Sequence, residues 1–338
     1  MKKILIILFS VFIFSETSFA QVGSYAGSFS RMGFGARGLS MGNALVSNIY
    51  GDISGYYNPA LAAFQEEGFL NLGYTFLSMD RKLNFVGFAK KFNLPNQPKG
   101  GAGISISWIN SGVGNIDGRD NDTRSIGTLT TSDNQLYLGT SFLLSENFAV
   151  GIGFKYYLSK LYESVTANSI AFDIGAVMKA NENLSFGLSV RDLGAKYEWN
   201  TSNIYGSVFG NTTEDKFPTL INFGASYRLP KGLGSVSLET QMIMLPKNKD
   251  NTNPDKKNEF GLKVGGEIAV NEYFKLRGGL DRINFTNEDF TGNLMPSLGV
   301  GFYKNFSGSM KIGLDYSVAL EPFTHNPVQN ISVGFKFK

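Results

Sequence analysis

The sequence predicts an all-β fold, a fourteen-stranded antiparallel transmembrane β-barrel with an N-terminal plug segment. Three observations lead to this prediction. Segments of about ten residues alternate between bulky apolar and small or charged side chains, and the connections between them alternate in length. Charged residues make up only 17% of the chain, whereas aromatic residues reach 14%. This combination is typical of a barrel in an outer membrane.

The first twenty residues have the order of a secretory signal peptide. Lys2 and Lys3 precede an apolar run over 4–14, and the Ser-Phe-Ala of 18–20 precedes Gln21. The apolar run is shorter than the roughly 20 residues that a membrane-spanning helix needs. We therefore expect cleavage after residue 20 and export to the cell outer membrane of a Gram-negative-type cell. The sequence contains no cysteine, so neither a lipid anchor nor disulfides are expected.

Residues 21–67 precede the first predicted strand and alternate little. A barrel of fourteen strands encloses more space than a side-chain-filled barrel of eight, so part of the lumen is expected to be occupied. Within this segment, Asn58 followed by Pro59 suits a helix start, because Asn caps a helix and Pro fits its first position. We predict a plug, or hatch, folded into the periplasmic mouth. The predicted domains are the signal peptide 1–20, the plug 21–67 and the barrel 68–338.

Period-two alternation recurs fourteen times in the predicted barrel. In "LSFGLSVR" (184–191), for example, Leu, Phe, Leu and Val alternate with Ser, Gly, Ser and Arg. A tilted strand crosses a bilayer core in about 9–11 residues, and an even number of strands brings both termini to one side. The predicted strands are 69–77, 83–92, 101–110, 134–144, 148–159, 168–180, 184–195, 217–229, 233–245, 259–271, 273–283, 294–304, 308–319 and 328–337.

The predicted connections alternate between tight turns and longer polar loops. Barrels inserted from the periplasm have short inner turns and long outer loops, whereas a soluble sandwich has no reason to sort lengths in this way. The predicted inner turns are 145–147, 181–183, 230–232, 271–272 and 305–308. The predicted outer loops are 111–133, 160–167, 196–216, 246–258, 284–293 and 320–327.

Nearly every charged residue inside the predicted strands lies on the small-residue face. A Lys or Arg facing lipid at the midplane costs about 2–4 kcal/mol, so this face is predicted to line the lumen. Replacement of a lumen residue such as Lys155 is expected to be tolerated, and aromatic residues such as Tyr74 and Trp108 suit the interfacial girdles of the lipid face. The predicted lumen-facing charges are Lys155, Asp173, Arg191, Arg228, Glu239, Lys263, Glu267, Lys275, Arg277, Asp281, Lys311 and Asp315.

The stretch "GARGLSMGNALVSNIYGDISGYYNPALA" (35–62) resembles the N-terminal motif of the PorV/PorQ branch of the FadL-like outer-membrane β-barrel proteins. The resemblance implies a fourteen-stranded barrel with an N-terminal plug. It also identifies a plug motif at Gly35, Ala36, Arg37, Met41, Gly42, Ala44, Asp52, Asn58, Pro59 and Ala60.

The resemblance implies two alternative functions. PorV-type members serve a type IX secretion system, which implies a role in export or surface handling of secreted proteins. The partners would then be secretion-machinery components and the C-terminal signal domains of cargo proteins. The alternative is a FadL-like passive channel for hydrophobic small molecules such as long-chain fatty acids. The Asn-Pro-Ala element is common to both, and the longer stretch favours the PorV/PorQ side.

No catalytic residue, metal site or cofactor is predicted, and the chain is not expected to be an enzyme. The single histidine, His325, lies in the last predicted outer loop without a nucleophile motif. The inward carboxylates are expected to neutralise Lys and Arg of neighbouring strands. The net charge of +3 gives no sign of a nucleic-acid partner, so outer-membrane lipids are the other expected contact.

Overall fold

The computed structural model describes residues 25–52, 54–95, 100–162, 164–246, 258–285, 294–321 and 326–337. Its strands are β1 (Gly68–Phe76), β2 (Arg81–Phe92), β3 (Gly101–Val113), β4 (Ile116–Arg119), β5 (Ser125–Leu129), β6 (Ser132–Ser145), β7 (Phe148–Tyr162), β8 (Val165–Lys179), β9 (Leu184–Leu193), β10 (Lys196–Asn200), β11 (Thr212–Lys216), β12 (Thr219–Arg228), β13 (Gly234–Met244), β14 (Glu259–Ala269), β15 (Phe274–Asn284), β16 (Met295–Ser307), β17 (Met310–Leu320) and β18 (Pro327–Phe337).

Fourteen of these strands close an antiparallel barrel, which confirms the predicted fold class. Each barrel strand pairs with its neighbours along the chain, and β18 pairs back with β1 to close the wall. The other four strands form two separate hairpins, β4 with β5 and β10 with β11. Every one of the fourteen predicted strands overlaps a barrel strand.

The side chains on the two faces of the barrel wall differ sharply in their exposure. On β7, Ile152 is 60% exposed on the outer face, whereas Lys155 and Tyr157 are fully buried on the inner face. The same exposed apolar outer face recurs around the barrel, with residues such as Leu238 and Leu298. A continuous apolar belt of this kind is typical of a transmembrane barrel. Among the described residues, no helix is long and apolar enough to cross a membrane.

The connections separate into two edges of the barrel. The short-turn edge carries the connections 93–100, 146–147, 180–183, 229–233, 270–273 and 308–309, and the long-loop edge carries the others. Two predicted outer loops are themselves structured: 111–133 contains β4 and β5, and 196–216 contains β10, β11 and a helix at Ser202–Phe209.

One predicted outer loop is wrong. Segment 160–167 is mostly strand, and only 163–164 separates β7 from β8. Polar residues of this segment, such as Lys160 and Thr166, resemble those of a surface loop, so the sequence pattern does not show the strands here.

Residues 25–52 and 54–67, which we call the inner segment, lie inside the barrel. They include a 3₁₀ helix at Ser28–Arg31, a helix α1 at Gly35–Ser40 and a second 3₁₀ helix at Pro59–Phe64. α1 packs against β15 to β18 and β1, and the Pro59–Phe64 helix packs against β2, β3, β6, β7 and β8. The inner segment therefore crosses the lumen from one wall to the other. Phe29 also reaches Tyr157 in the long-loop half of β7, so the segment is not confined to the short-turn mouth.

Candidate functional site

Gly42 holds the inner segment directly against the wall. Its φ is +56°, and a Cβ there would lie 2.6 Å from the carbonyl oxygen of Leu280 and 2.7 Å from that of Val264. On the wall side, Gly265 and Gly279 leave the space that Met41 and Gly42 occupy. Only glycine allows two backbones to approach so closely in this conformation.

Asn58 fixes the opposite end of the inner segment. Its Oδ1 accepts a hydrogen bond from the backbone N–H of Ala60 at 3.0 Å, which caps the Pro59–Phe64 helix. Its Nδ2 lies 2.9 Å from the carbonyl oxygen of Val46 and 3.1 Å from those of Ala176 in β8 and Leu188 in β9. A single amide therefore joins the segment to itself and to two strands.

Arg37 organises the part of the inner segment that follows α1. Its Nη1 donates to the carbonyl oxygen of Asp52 at 2.8 Å, and its Nη2 donates to that of Tyr50 at 2.7 Å. Its Nε donates to Glu267 of β14 at 3.2 Å. Glu267 also accepts from Arg277 at 2.7 Å, so a buried ion network ties the segment to the wall. Charge-assisted bonds of this kind are the stronger ones in proteins.

All ten residues of the predicted plug motif lie in the inner segment and are buried. Gly35 has a φ of +77°, and the Ala36 N–H donates to Ser332 of β18 at 3.0 Å. The Asp52 carboxylate forms an ion pair with Lys336 and accepts from the Tyr303 hydroxyl at 3.3 Å. The motif residues therefore face the barrel wall and the segment itself.

The predicted lumen charges do not form one site. Lys275 and Lys311 are half-buried, and Arg228 is exposed at the end of β12. Glu239 pairs with Lys263 at 3.1 Å. The buried members are Lys155, Asp173, Arg191, Glu239, Lys263, Glu267, Arg277, Asp281 and Asp315.

A buried triad centres on Lys155. Its Nζ lies 2.9 Å from Asp173 and 2.7 Å from Asp192. The Tyr157 hydroxyl donates to Asp192 at 2.7 Å. The guanidinium of Arg191 lies 4.4 Å from the centre of the Tyr56 ring, which belongs to the inner segment.

Asp192 was missed by the sequence reasoning because β9 is irregular. The pairing with β8 shifts by one residue around Asp192, whose φ is +61°. This β-bulge turns both Arg191 and Asp192 inward, although strict alternation places Asp192 on the lipid face. The adjacent charges of Arg191 and Asp192 within a predicted strand were the sequence signal that could have indicated this bulge. A second bulge in β15 has the same pattern at Asp281 and Arg282.

A cavity, which we call the outer cavity, lies on the long-loop side of the inner segment. Its volume is about 360 Å³. Phe29, Arg31, Met32, Tyr56 and Tyr57 of the inner segment line its floor. Burial lowers the pKa of the Arg31 guanidinium, and the nearby Asp192 carboxylate opposes this shift. The walls contribute the apolar side chains Leu77, Val113, Leu220 and Ile243 and the charged side chains Arg81, Asp133, Arg191, Glu259, Lys263, Asp281, Arg282 and Glu321.

The β10–β11 hairpin reaches the inner segment through an aromatic cluster. The ring of Phe217 lies 4.8 Å from that of Tyr157 and 4.9 Å from that of Tyr197. Phe29 of the inner segment completes the cluster, with its ring 6.2 Å from that of Tyr157. The hairpin therefore helps to hold the floor of the outer cavity in place.

The inward carboxylates form ion pairs or hydrogen bonds with neighbouring side chains, as expected for residues with a structural role. Asp173 and Glu267 form ion pairs, Asp315 pairs with Arg277 at 2.6 Å, and Asp281 accepts from the Asn43 amide at 2.9 Å. His325 lies outside the described residues. Within the described ranges, no group of three or more His, Asp or Glu side chains could hold a metal ion.

No family model matches this sequence, and no curated protein matches it. Solved structures share its fold. The toluene transporter TbuX of Ralstonia pickettii has a TM-score of 0.59 and 13% identity over 90% of this chain and 98% of that chain. The monoaromatic hydrocarbon channel CymD has a TM-score of 0.59 and 12% identity over 91% and 98%. A FadL homologue of Pseudomonas aeruginosa has a TM-score of 0.57 and 14% identity over 90% and 98%.

These likenesses show the fold that the chain shares with transport channels. They agree with the FadL-like part of the sequence resemblance. They do not support the narrower assignment to the PorV/PorQ branch.

Proposed function

We propose that this protein is an outer-membrane channel for hydrophobic small molecules and that the inner segment is its plug. The outer cavity carries the proposal, because it lies inside a closed barrel and has the inner segment as its floor. The solved structures of similar fold include a toluene transporter and a monoaromatic hydrocarbon channel, which supports the proposal of a channel for hydrophobic small molecules.

The lining of the outer cavity suits a hydrophobic molecule with at most a small polar group. Ligand sites are commonly 300–1,000 Å³ in volume and combine apolar walls with a few polar groups. Several charges of the lining are already neutralised within the protein: Arg81 pairs with Glu321 at 2.9 Å, and Lys263 pairs with Glu239 at 3.1 Å. The side chains of Leu220 and Ile243 then provide the apolar contact.

The anchors of the inner segment support its role as a plug. Gly42 packs on β14 and β15, Asn58 binds β8 and β9, and Arg37 binds Glu267 of β14. We therefore retain the domains 1–20, 21–67 and 68–338 as signal peptide, plug and barrel. The proposed signal peptide and cleavage site lie outside the described residues.

A secretion role has no comparable support. The motif residues that resemble the PorV/PorQ branch are buried against the wall, with Asn58 and Ala60 fully so. They account for anchoring of the plug and offer no surface to a cargo domain. The FadL-like alternative is therefore the function that we propose.

Blocking the outer cavity is expected to weaken ligand binding. Ile243 points into the cavity from β13, and Ile243→Trp should lower the affinity for radiolabelled laurate by about tenfold, which corresponds to about 1.4 kcal/mol. The measurement is binding to the purified protein in amphipol by spin gel filtration. Val236→Trp is the matched control, since Val236 lies on the outer face of the same strand, and should bind as the unaltered protein does. Equal binding by both variants, or no binding by the unaltered protein, would refute the proposal.

A further inference from the structure

A second cavity, which we call the rim cavity, lies at the short-turn edge. Its volume is about 270 Å³, and Glu67, Phe306, Ser309, Met310, Lys311 and Lys336 are among its lining residues. It surrounds the two-residue connection between β16 and β17, so it touches both faces of the wall. It lies at the other end of the barrel from the loops around the outer cavity.

The lumen side of the rim cavity carries a positive charge without an ion-pair partner. Lys311 of β17 is directly opposite Lys336 of β18 in the strand pairing. Lys336 pairs with Asp52, and the nearby Lys275 pairs with Glu267 at 3.1 Å. No carboxylate among the described residues pairs with Lys311, whose Nζ lies 5.6 Å from the centre of the Tyr303 ring. Like charges directly opposite in a sheet repel, so an anion at this position would stabilise the strand pair.

The lipid side of the rim cavity is apolar. Phe306 is 72% exposed beside the turn, and Met310 is the next apolar side chain after it. Only Gly308 and Ser309 separate β16 from β17 at this point. The Lys311 ammonium on the lumen side and the apolar side chains on the lipid side are therefore separated only by this two-residue turn.

We propose that the rim cavity binds the anionic head, a phosphate or carboxylate, of a membrane amphiphile. In this proposal the ammonium of Lys311 contacts the head, the hydroxyl of the lining residue Ser309 donates to it, and the chain lies along Phe306 and Met310. An ammonium and a phosphate form a charge-assisted hydrogen bond, and apolar chains gain by burial against apolar side chains. This site goes beyond the channel function, because it does not involve the outer cavity.

The test is a titration with dodecyl phosphate, followed by phosphorus NMR, of the protein in a neutral maltoside detergent. All variants carry Ile243→Trp, which blocks the outer cavity. Binding at the rim cavity is therefore tested independently of the proposed channel function. We expect saturable binding that Lys311→Met weakens by about tenfold or more and that Lys311→Arg retains. Lys231→Met is the control, because Lys231 is an exposed lysine of the same edge and its loss should change nothing.

Competition with inorganic phosphate distinguishes a membrane amphiphile from free phosphate as the anion that the rim cavity binds. It should compete only at concentrations far above those of dodecyl phosphate, since it lacks the chain that packs on Phe306. Competition at similar concentrations would overturn the assignment to a membrane amphiphile. Equal binding by Lys311→Met and the parent Ile243→Trp protein would overturn the site itself. Heat-modifiable gel migration checks that each variant is folded, and Lys311→Met should fold well because it removes a like-charge pair.

Discussion

Removal of the inner segment is expected to give a barrel that folds and conducts ions many times better than the complete protein. In this variant the signal peptide is joined directly to Gly68. Every barrel strand keeps both neighbours, so all the wall hydrogen bonds remain. The lumen loses the segment that packs against β1, β2, β3, β6, β7, β8 and β15 to β18. Conductance in planar bilayers measures the result, and heat-modifiable migration shows that the barrel has assembled.

Glycine substitutions provide a graded version of this experiment. Gly42→Val would place side-chain atoms against the Leu280 and Val264 carbonyl oxygens and should raise conductance partially. Gly114→Val is the matched control, because a Cβ at Gly114 meets nothing within 4 Å. Asn58→Ala should also open the channel in part, through the lost cap. If the folded truncation conducts no better than the complete protein, the inner segment is not a plug.

Lys155→Met is expected to be the most destabilising single substitution in the wall. It leaves the buried carboxylates of Asp173 and Asp192 without the ammonium that lies between them. Breaking a buried ion pair in this way costs about 3–5 kcal/mol. The denaturant midpoint for unfolding in detergent should fall accordingly. Adding Asp192→Asn to Lys155→Met should recover part of the loss, because one uncompensated charge is then removed.

A surface pair supplies the control for this substitution. Lys179 pairs with Glu182 at 2.9 Å, and the Glu182 side chain is 84% exposed. Exposed pairs contribute about 0–1 kcal/mol, so Lys179→Met should barely shift the midpoint. Equal shifts for Lys155→Met and Lys179→Met would contradict the buried triad.

The barrel wall could be predicted from the sequence because lipid imposes a strict rule on it. A strand between lipid and lumen must alternate, and residues such as Ile152 and Lys155 show their faces directly in the sequence. The expectation that Lys155 tolerates replacement is revised, because its environment depends on Asp192. A bulge brings Asp192 inward, and a period-two reading cannot place it there.

The candidate site was harder to predict because the inner segment has no repeating pattern. The resemblance identified Gly42 and Asn58 as important positions, but their partners lie on strands more than a hundred residues away. The outer cavity depends on those long-range contacts and on the hairpin formed by β10 and β11. The loop containing this hairpin looked unstructured in the sequence, because its polar composition is that of any outer loop.

Uptake by intact cells tests the central claim most directly. Gram-negative cells that lack a channel of their own for hydrophobic compounds would express either the complete protein or its Ile243→Trp variant. Radiolabelled laurate should enter cells with the complete protein several-fold faster than cells with the variant or an empty vector, and a labelled sugar should enter all three equally. Laurate entry at the empty-vector rate in cells whose outer membrane contains the folded, complete protein would contradict a channel for hydrophobic small molecules.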